Sequence, residues 1–170
     1  MTYLTHGEQR IQMSLWGIAP SPLFFGGDMR RMDDFTFSLL TNSDILWLNH
    51  ADTKSEEVRH DAQSGLRVWR AVRPQTNSPS AASAEATAPP RYVSVFNVGG
   101  ALAKEALALA DFGAPSGSNC SLVDAWSGKP AGELHGAEGR VDVHVPTHDV
   151  ALLRAECRNG RRMRSDTSEK

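Results

Sequence analysis

Asp28 is the carboxylate with the most suggestive surroundings: it follows the apolar run Pro22-Leu23-Phe24-Phe25 directly through Gly26 and Gly27. In a parallel β/α barrel the carboxyl end of each strand opens onto the active-site face. On that reading Gly26, Gly27 and Asp28 lie at a pocket rim, next to substrate. The competing reading is that the two glycines make the turn and Asp28 caps it or pairs with Arg30 or Arg31. The second reading is favoured. Acid–base chemistry between facing carboxylates needs a second acid, and residues 1–50 offer none at an equivalent strand end; Asp33-Asp34 reads as a helix start.

Other chemistry finds less support. Of the six histidines, only His144 and His148 stand four apart, around Pro146, where a strand-turn-strand is expected; they read as surface histidines, and no metal site is expected. Ser14, Ser21 and Ser38 sit in helix or helix-end contexts without a nucleophile elbow. Gly26-Gly27 and Gly99-Gly100 are isolated doublets that read as turns, so no phosphate loop and no cofactor are implied. Cys120 and Cys157 have no activating neighbour and are too few for a thiolate zinc site. Two ordinary thiols are favoured over a disulfide, since sequence does not set their separation. Asn119-Cys120-Ser121 matches the glycosylation acceptor pattern, which is short enough to recur by chance.

The elements that would carry these residues change in texture along the chain. Thr5, with Glu8 three residues on, starts an amphipathic helix over 6–19 with Ile11, Leu15 and Ile18 at helical spacing. Pro20 and Pro22 stop it. Residues 22–28 read as a strand buried on both faces, and a second helix runs from Asp33 or Asp34 to Leu40 with Phe35, Leu39 and Leu40 on one side. Thr41-Asn42-Ser43-Asp44 then turns the chain into Ile45-Leu46-Trp47-Leu48. Helix, buried strand, helix is the grammar of an α/β fold.

Beyond Glu57 the period becomes two. Leu66 to Trp69, Tyr92 to Phe96, Ser121 to Val123, Val141 to Val145 and Val150 to Leu153 read as short strands of an antiparallel sandwich. Ala101 to Ala110 reads as strand and loop despite its alanine and leucine content. Residues 74–91, nearly all Pro, Ser, Ala, Thr and polar side chains, read as a mobile disordered insertion, and the arginine-rich residues 158–170 as a frayed tail.

Composition bounds the function. The chain has 170 residues, 40% of them apolar and 22% charged, with 18 Lys plus Arg against 20 Asp plus Glu. A net charge of −2 gives no footprint for nucleic acid or an anionic membrane. No apolar run is long enough to span a bilayer, and residues 1–12 lack the features of a signal peptide.

The order of these segments resembles glycoside hydrolase family 27, the α-galactosidase or melibiase group. Glu8-Gln9-Arg10, Met13 to Trp16, Ser21 to Asp28, Ser38 to Asn42 and Leu48-Asn49 resemble the end of its catalytic (β/α)₈ barrel. Val68-Trp69, Val95-Phe96-Asn97, Val123 to Trp126 and Val145 to Arg154 resemble its C-terminal sandwich. The resemblance implies an α/β barrel fragment over 1–52 followed by an all-β antiparallel sandwich over 53–157. Asn49-His50, where the family commonly has Asn-Gln, and the 74–91 insertion depart from it.

The family's retaining mechanism implies a nucleophilic and an acid–base aspartate on earlier barrel strands. Both would lie upstream of Met1, so no catalytic residue is carried by this chain. It is expected to be inactive alone, with the rest of the barrel as partner and α-galactosides as substrate of the whole enzyme. The resemblance implies an extracellular, periplasmic or lysosomal setting.

The alternative is a stand-alone sandwich that binds carbohydrate or protein, with Trp69, Tyr92 and Trp126 as a sugar-stacking face. The two differ in an exposed feature: Leu15, Trp16, Leu23, Phe24, Phe25, Phe35, Phe37 and Trp47 would form an uncovered apolar surface if barrel elements stand alone. Either a partner covers it or the chain associates with itself.

Overall fold

A computed structural model describes residues 2–19, 21–50, 52–72 and 89–158. The 74–91 insertion lies almost entirely outside these, and the tail does so beyond Arg158. Helix α1 spans His6–Ile18. Its start is the expected capping box: the Glu8 amide donates to Thr5 Oγ1 at 3.3 Å, and the Thr5 amide donates to Glu8 Oε2 at 2.8 Å. The buried face is Met13, Ser14, Gly17 and Ile18 rather than the Leu15 side, and Leu15 is 44% exposed. Gly17 faces Ile45 and Leu48 of the following helix, at distances where a Cβ would make ordinary contact.

Residues 22–28 depart from expectation. No ladder forms, no strand among the described residues pairs with this segment, and Phe24 is 82% exposed. A strand buried on both faces needs neighbours on both edges, and the sheet of this chain lies elsewhere. A 3₁₀ turn at Met29–Arg31 leads to α2 at Asp34–Leu40, whose cap Asp33 accepts from the Thr36 amide at 2.7 Å. The expected turn at 41–44 is itself a helix start: α3 spans Ser43–Leu48, and Asn42 Oδ1 accepts from the Asp44 and Ile45 amides at 3.0 Å.

Eight strands follow among the described residues, all paired antiparallel: β1 Lys54–Asp61, β2 Leu66–Val72, β3 Arg91–Asn97, β4 Ala103–Ala108, β5 Asn119–Asp124, β6 Pro130–His135, β7 Arg140–Val145 and β8 Asp149–Arg158. Six form one sheet in the order β1-β2-β3-β8-β5-β6, and β4 and β7 form a second. The fold is thus a short helical part followed by an antiparallel sandwich.

Period-2 alternation on the central strands builds two cores. From β3, Val93 and Val95 face the sandwich interior with Leu107, Phe112, Leu122, Leu134 and Leu153. Tyr92 and Phe96 face the other way, with Val150 and Leu152 of β8, against Met13, Ile18, Ile45 and Leu48 of the helices. The six-stranded sheet is therefore covered on both faces, which accounts for the unbroken burial of β3 from Tyr92 to Asn97.

Cys120 and Cys157 are directly opposite in the β5–β8 register and form a disulfide, with their Cα atoms 4.1 Å apart. This corrects the expectation of two free thiols. Register brings together two residues 37 apart in sequence, and neither cysteine's local sequence signals it.

Candidate functional site

Asp28 belongs to its own turn. It caps the 3₁₀ turn, with Oδ1 accepting from the Arg30 amide and Nε, and Oδ2 from Nη2, each at 3.0 Å. The Arg30 guanidinium, followed by the Arg30 amide, holds its carboxyl below the usual aspartate range. Gly26 is open on the Cβ side, while at Gly27 a Cβ would run into the Phe25 ring folded over it. Among the described residues no second carboxylate bonds or pairs at this turn, and no group of three potential metal ligands occurs. His144 and His148 lie exposed, the first on β7 and the second in the turn before β8, where His148 approaches Glu8 at 3.5 Å.

The developed polar site lies where the helices meet the sheet. Asp44, on the first turn of α3, is 8% exposed. Tyr92 Oη donates to its Oδ1 at 2.6 Å, and Arg154 Nη1 donates to Oδ1 and Oδ2 at 2.9 and 3.1 Å. Burial, reinforced by the Asp44 carboxylate, pushes the Tyr92 phenol well above its ordinary value. The hydrogen bond to Asp44 raises Arg154. A second clamp joins α1 to β8, where Arg10 Nε and Nη2 meet the Asp149 carboxylate at 3.1 and 2.5 Å.

Two asparagines complete the junction. Asn42 Nδ2 donates to the Ala125 carbonyl at 2.9 Å, and Asn49 Nδ2 donates to the carbonyls of Trp16 and Ser21 at 2.7 and 2.8 Å. None of these partners is readable from spacing, although Asn42-Ser43-Asp44 carries the signal of a helix cap. Beside Asp44 an open cleft of about 290 Å³ is lined by Trp47, Pro90, Tyr92, Arg154 and Glu156 together with Ser43.

The aromatic residues divide. Trp69, Tyr92 and Trp126 pack against the core between helices and sheet rather than forming an outward stacking face. Leu15, Phe24, Phe25 and Phe37 are exposed as expected, joined by Met29 and Leu46, whereas Trp16, Leu23, Phe35 and Trp47 are half-buried against the sheet. The helical part thus has one face on the sandwich and a second apolar face toward solvent.

A family profile described as the α-galactosidase C-terminal β-sandwich domain matches residues 83–155. The α-galactosidase of Coffea arabica is 26% identical over 149 residues, which are 88% of this chain and 35% of that protein. The α-galactosidase of Cyamopsis tetragonoloba is 32% identical over 66 residues, 39% of this chain and 16% of its own length. Among solved structures, a family 27 β-L-arabinopyranosidase from Geobacillus stearothermophilus superposes with a TM-score of 0.73 at 26% identity, over 92% of this chain and 31% of that one. The α-galactosidase I of Mortierella vinacea shares the fold, with a TM-score of 0.71 at 18% identity over 89% of this chain and 36% of that one. The chain therefore spans 16–36% of the length of these four relatives. A matching sandwich profile and relatives of one kind over most of the chain make it similar to the C-terminal part of α-galactosidase-like proteins of glycoside hydrolase family 27.

Proposed function

We propose that this chain closes and buttresses the catalytic barrel of a retaining glycosidase acting on terminal α-galactosides, with residues 1–52 belonging to the barrel and 53–157 forming the sandwich. The observation that carries the reading is the second apolar face: Leu15, Phe24, Phe25, Met29, Phe37 and Leu46 stand 42–82% exposed within one short stretch of chain. Single exposed apolar residues are ordinary, but a cluster on elements that resemble a barrel end is what a covered interface looks like when uncovered. In this reading the preceding barrel strands pair with residues 22–25 and cover that face.

The catalytic aspartates come from those preceding strands, and Gly26, Gly27 and Asp28 lie at the substrate rim. There Asp28, tied to Arg30, orders the turn rather than transferring a proton: its lowered carboxyl is charged at neutral pH and is a poor general acid. The sandwich braces the barrel through the Asp44 and Arg10 clamps.

The test compares this chain with the product of any in-frame extension upstream of Met1, both assayed on an aryl α-galactoside. Hydrolysis with retention by the extended form, and none by the present chain, supports the reading. A frame that closes at Met1, together with a stable, inactive monomer, overturns it in favour of a stand-alone binding module. Concentration-dependent self-association of the present chain is the expected behaviour of the uncovered face.

A further inference from the structure

We propose that Asn119 is an N-glycosylation site, and that its glycan marks the β5–β6 end of the large sheet as a solvent face of the protein. Asn119-Cys120-Ser121 is the one Asn-x-Ser/Thr triplet in the sequence. A triplet alone recurs by chance, and two features of the fold lift this one above it.

The first is placement. Along β5, Cys120 and Leu122 point into the sandwich core, so Asn119 and Ser121 take the opposite face, where both are exposed. The helices cover that face over β3 and β8 but not here, where Glu133, His135 and Glu156, beside the triplet in the strand register, are exposed as well. None of the exposed large apolar side chains among the described residues lies on β5, β6 or β8. The Asn119 side chain bonds through Oδ1, 3.4 Å from His135 Nδ1 across the strands, which leaves Nδ2 open.

The second is the disulfide. The middle residue of the triplet is bonded to Cys157, and such a bond persists in an oxidising compartment. In the secretory pathway that is also where Asn-x-Ser/Thr triplets receive glycans. The co-reactant is an oligosaccharide joined through pyrophosphate to a lipid carrier. Asn119 Nδ2 bonds to C1 of its terminal N-acetylglucosamine and loses a proton, while the C1–O bond breaks and the lipid pyrophosphate leaves with the electron pair. Strand β5 is paired on both edges, by β6 and β8, so transfer precedes the closing of those strands. Cys157 follows Cys120 by 37 residues, so the growing chain presents Asn119 while the thiol beside it is still unpaired.

The experiment expresses the full chain behind a secretion leader in cultured eukaryotic cells, with a second acceptor triplet appended after Lys170. Chains bearing the appended glycan have entered the lumen, and they alone are scored, by mass before and after peptide N-glycosidase F. Expected is a second glycan, removed by the enzyme with conversion of Asn119 to aspartate in its tryptic peptide. Asn119→Gln and Ser121→Ala are expected to abolish it and Ser121→Thr to keep it, all with the wild-type urea midpoint because both side chains are exposed. Scored chains that carry only the appended glycan, or a second glycan that survives Asn119→Gln, would overturn the proposal. No hydrolysis is read in this assay, so its outcome is separate from the activity comparison above.

Discussion

Asp44 shows how a single side chain ties two parts of the chain together. It caps nothing itself, yet it receives Tyr92 and Arg154 from two neighbouring strands of the sheet. Removing it in Asp44→Ala leaves a buried phenol without its acceptor and a partly exposed guanidinium that regains water. The expected cost is about 2 kcal/mol, below that of a fully buried pair because Arg154 keeps 28% exposure. A shift in the urea midpoint without a change in slope measures it.

Tyr92 adds a pH signature. Its folded-state pKa lies above the ordinary value of 10.0, so the native state holds a proton that the unfolded chain releases in alkali. Its contribution is fully present below about pH 10 and is lost progressively above it. The Tyr92→Phe variant is therefore expected to lose stability less steeply than wild type between pH 9 and 11, as thermal melts in matched buffers would show. Parallel declines would mean that the phenol does not titrate as the geometry requires. None of this network is visible in sequence, since Asp44, Tyr92 and Arg154 are separated by 48 and 110 residues across the contacts they make.

Elements were readable where one periodicity ruled and obscure where an edge or a tertiary partner did. Helix α1 announces itself through Thr5 and Glu8, and strands β3, β7 and β8 through alternation around Val93, Val143 and Leu152. Strand β1 hides because Lys54, Glu56, Glu57, Arg59, His60 and Asp61 are charged or titratable, as suits an edge strand that must not recruit another chain. Strand β6, the other edge, is broken up by Pro130 and Gly132.

The disulfide escaped for the same reason: it depends on the β5–β8 register, which the periodicity of either strand alone does not set. Closing a 37-residue separation predicts a stabilisation of about 2–4 kcal/mol. Urea unfolding with and without reductant is expected to show that loss in wild type and none in the Cys120→Ala, Cys157→Ala double variant. Two titratable thiols in the unreduced native protein would contradict the pairing. At the helical end, Asn42→Ala removes a cap and the tie to Ala125 together, an expected loss of about 1–2 kcal/mol by the same urea assay.

The whole molecule is asymmetric in its covering. One helical face is sealed onto the sheet by Met13, Ile18, Ile45 and Leu48, while the other presents Leu15, Phe24, Phe25 and Phe37 to solvent. The sequence carries the residue types of both faces, but it does not say which face the sandwich takes, because Leu15 and Ile18 share helical spacing and only packing assigns them. Likewise, the apolar run at 22–25 reads as a buried strand, and its lack of a ladder here follows from where the six-stranded sheet lies. On the proposed reading this segment is a strand in waiting, ordered by barrel neighbours rather than by the sandwich.

Amide hydrogen exchange tests that claim most directly, run on this chain and on the upstream-extended protein. The account predicts strong protection of α1 and of the central strands β3 and β8 in both, while the amides of Leu23, Phe24 and Phe25 exchange at unprotected rates here and become protected only in the extended form. Strong protection of those three amides in the monomeric chain alone, or free exchange in both proteins, would contradict it.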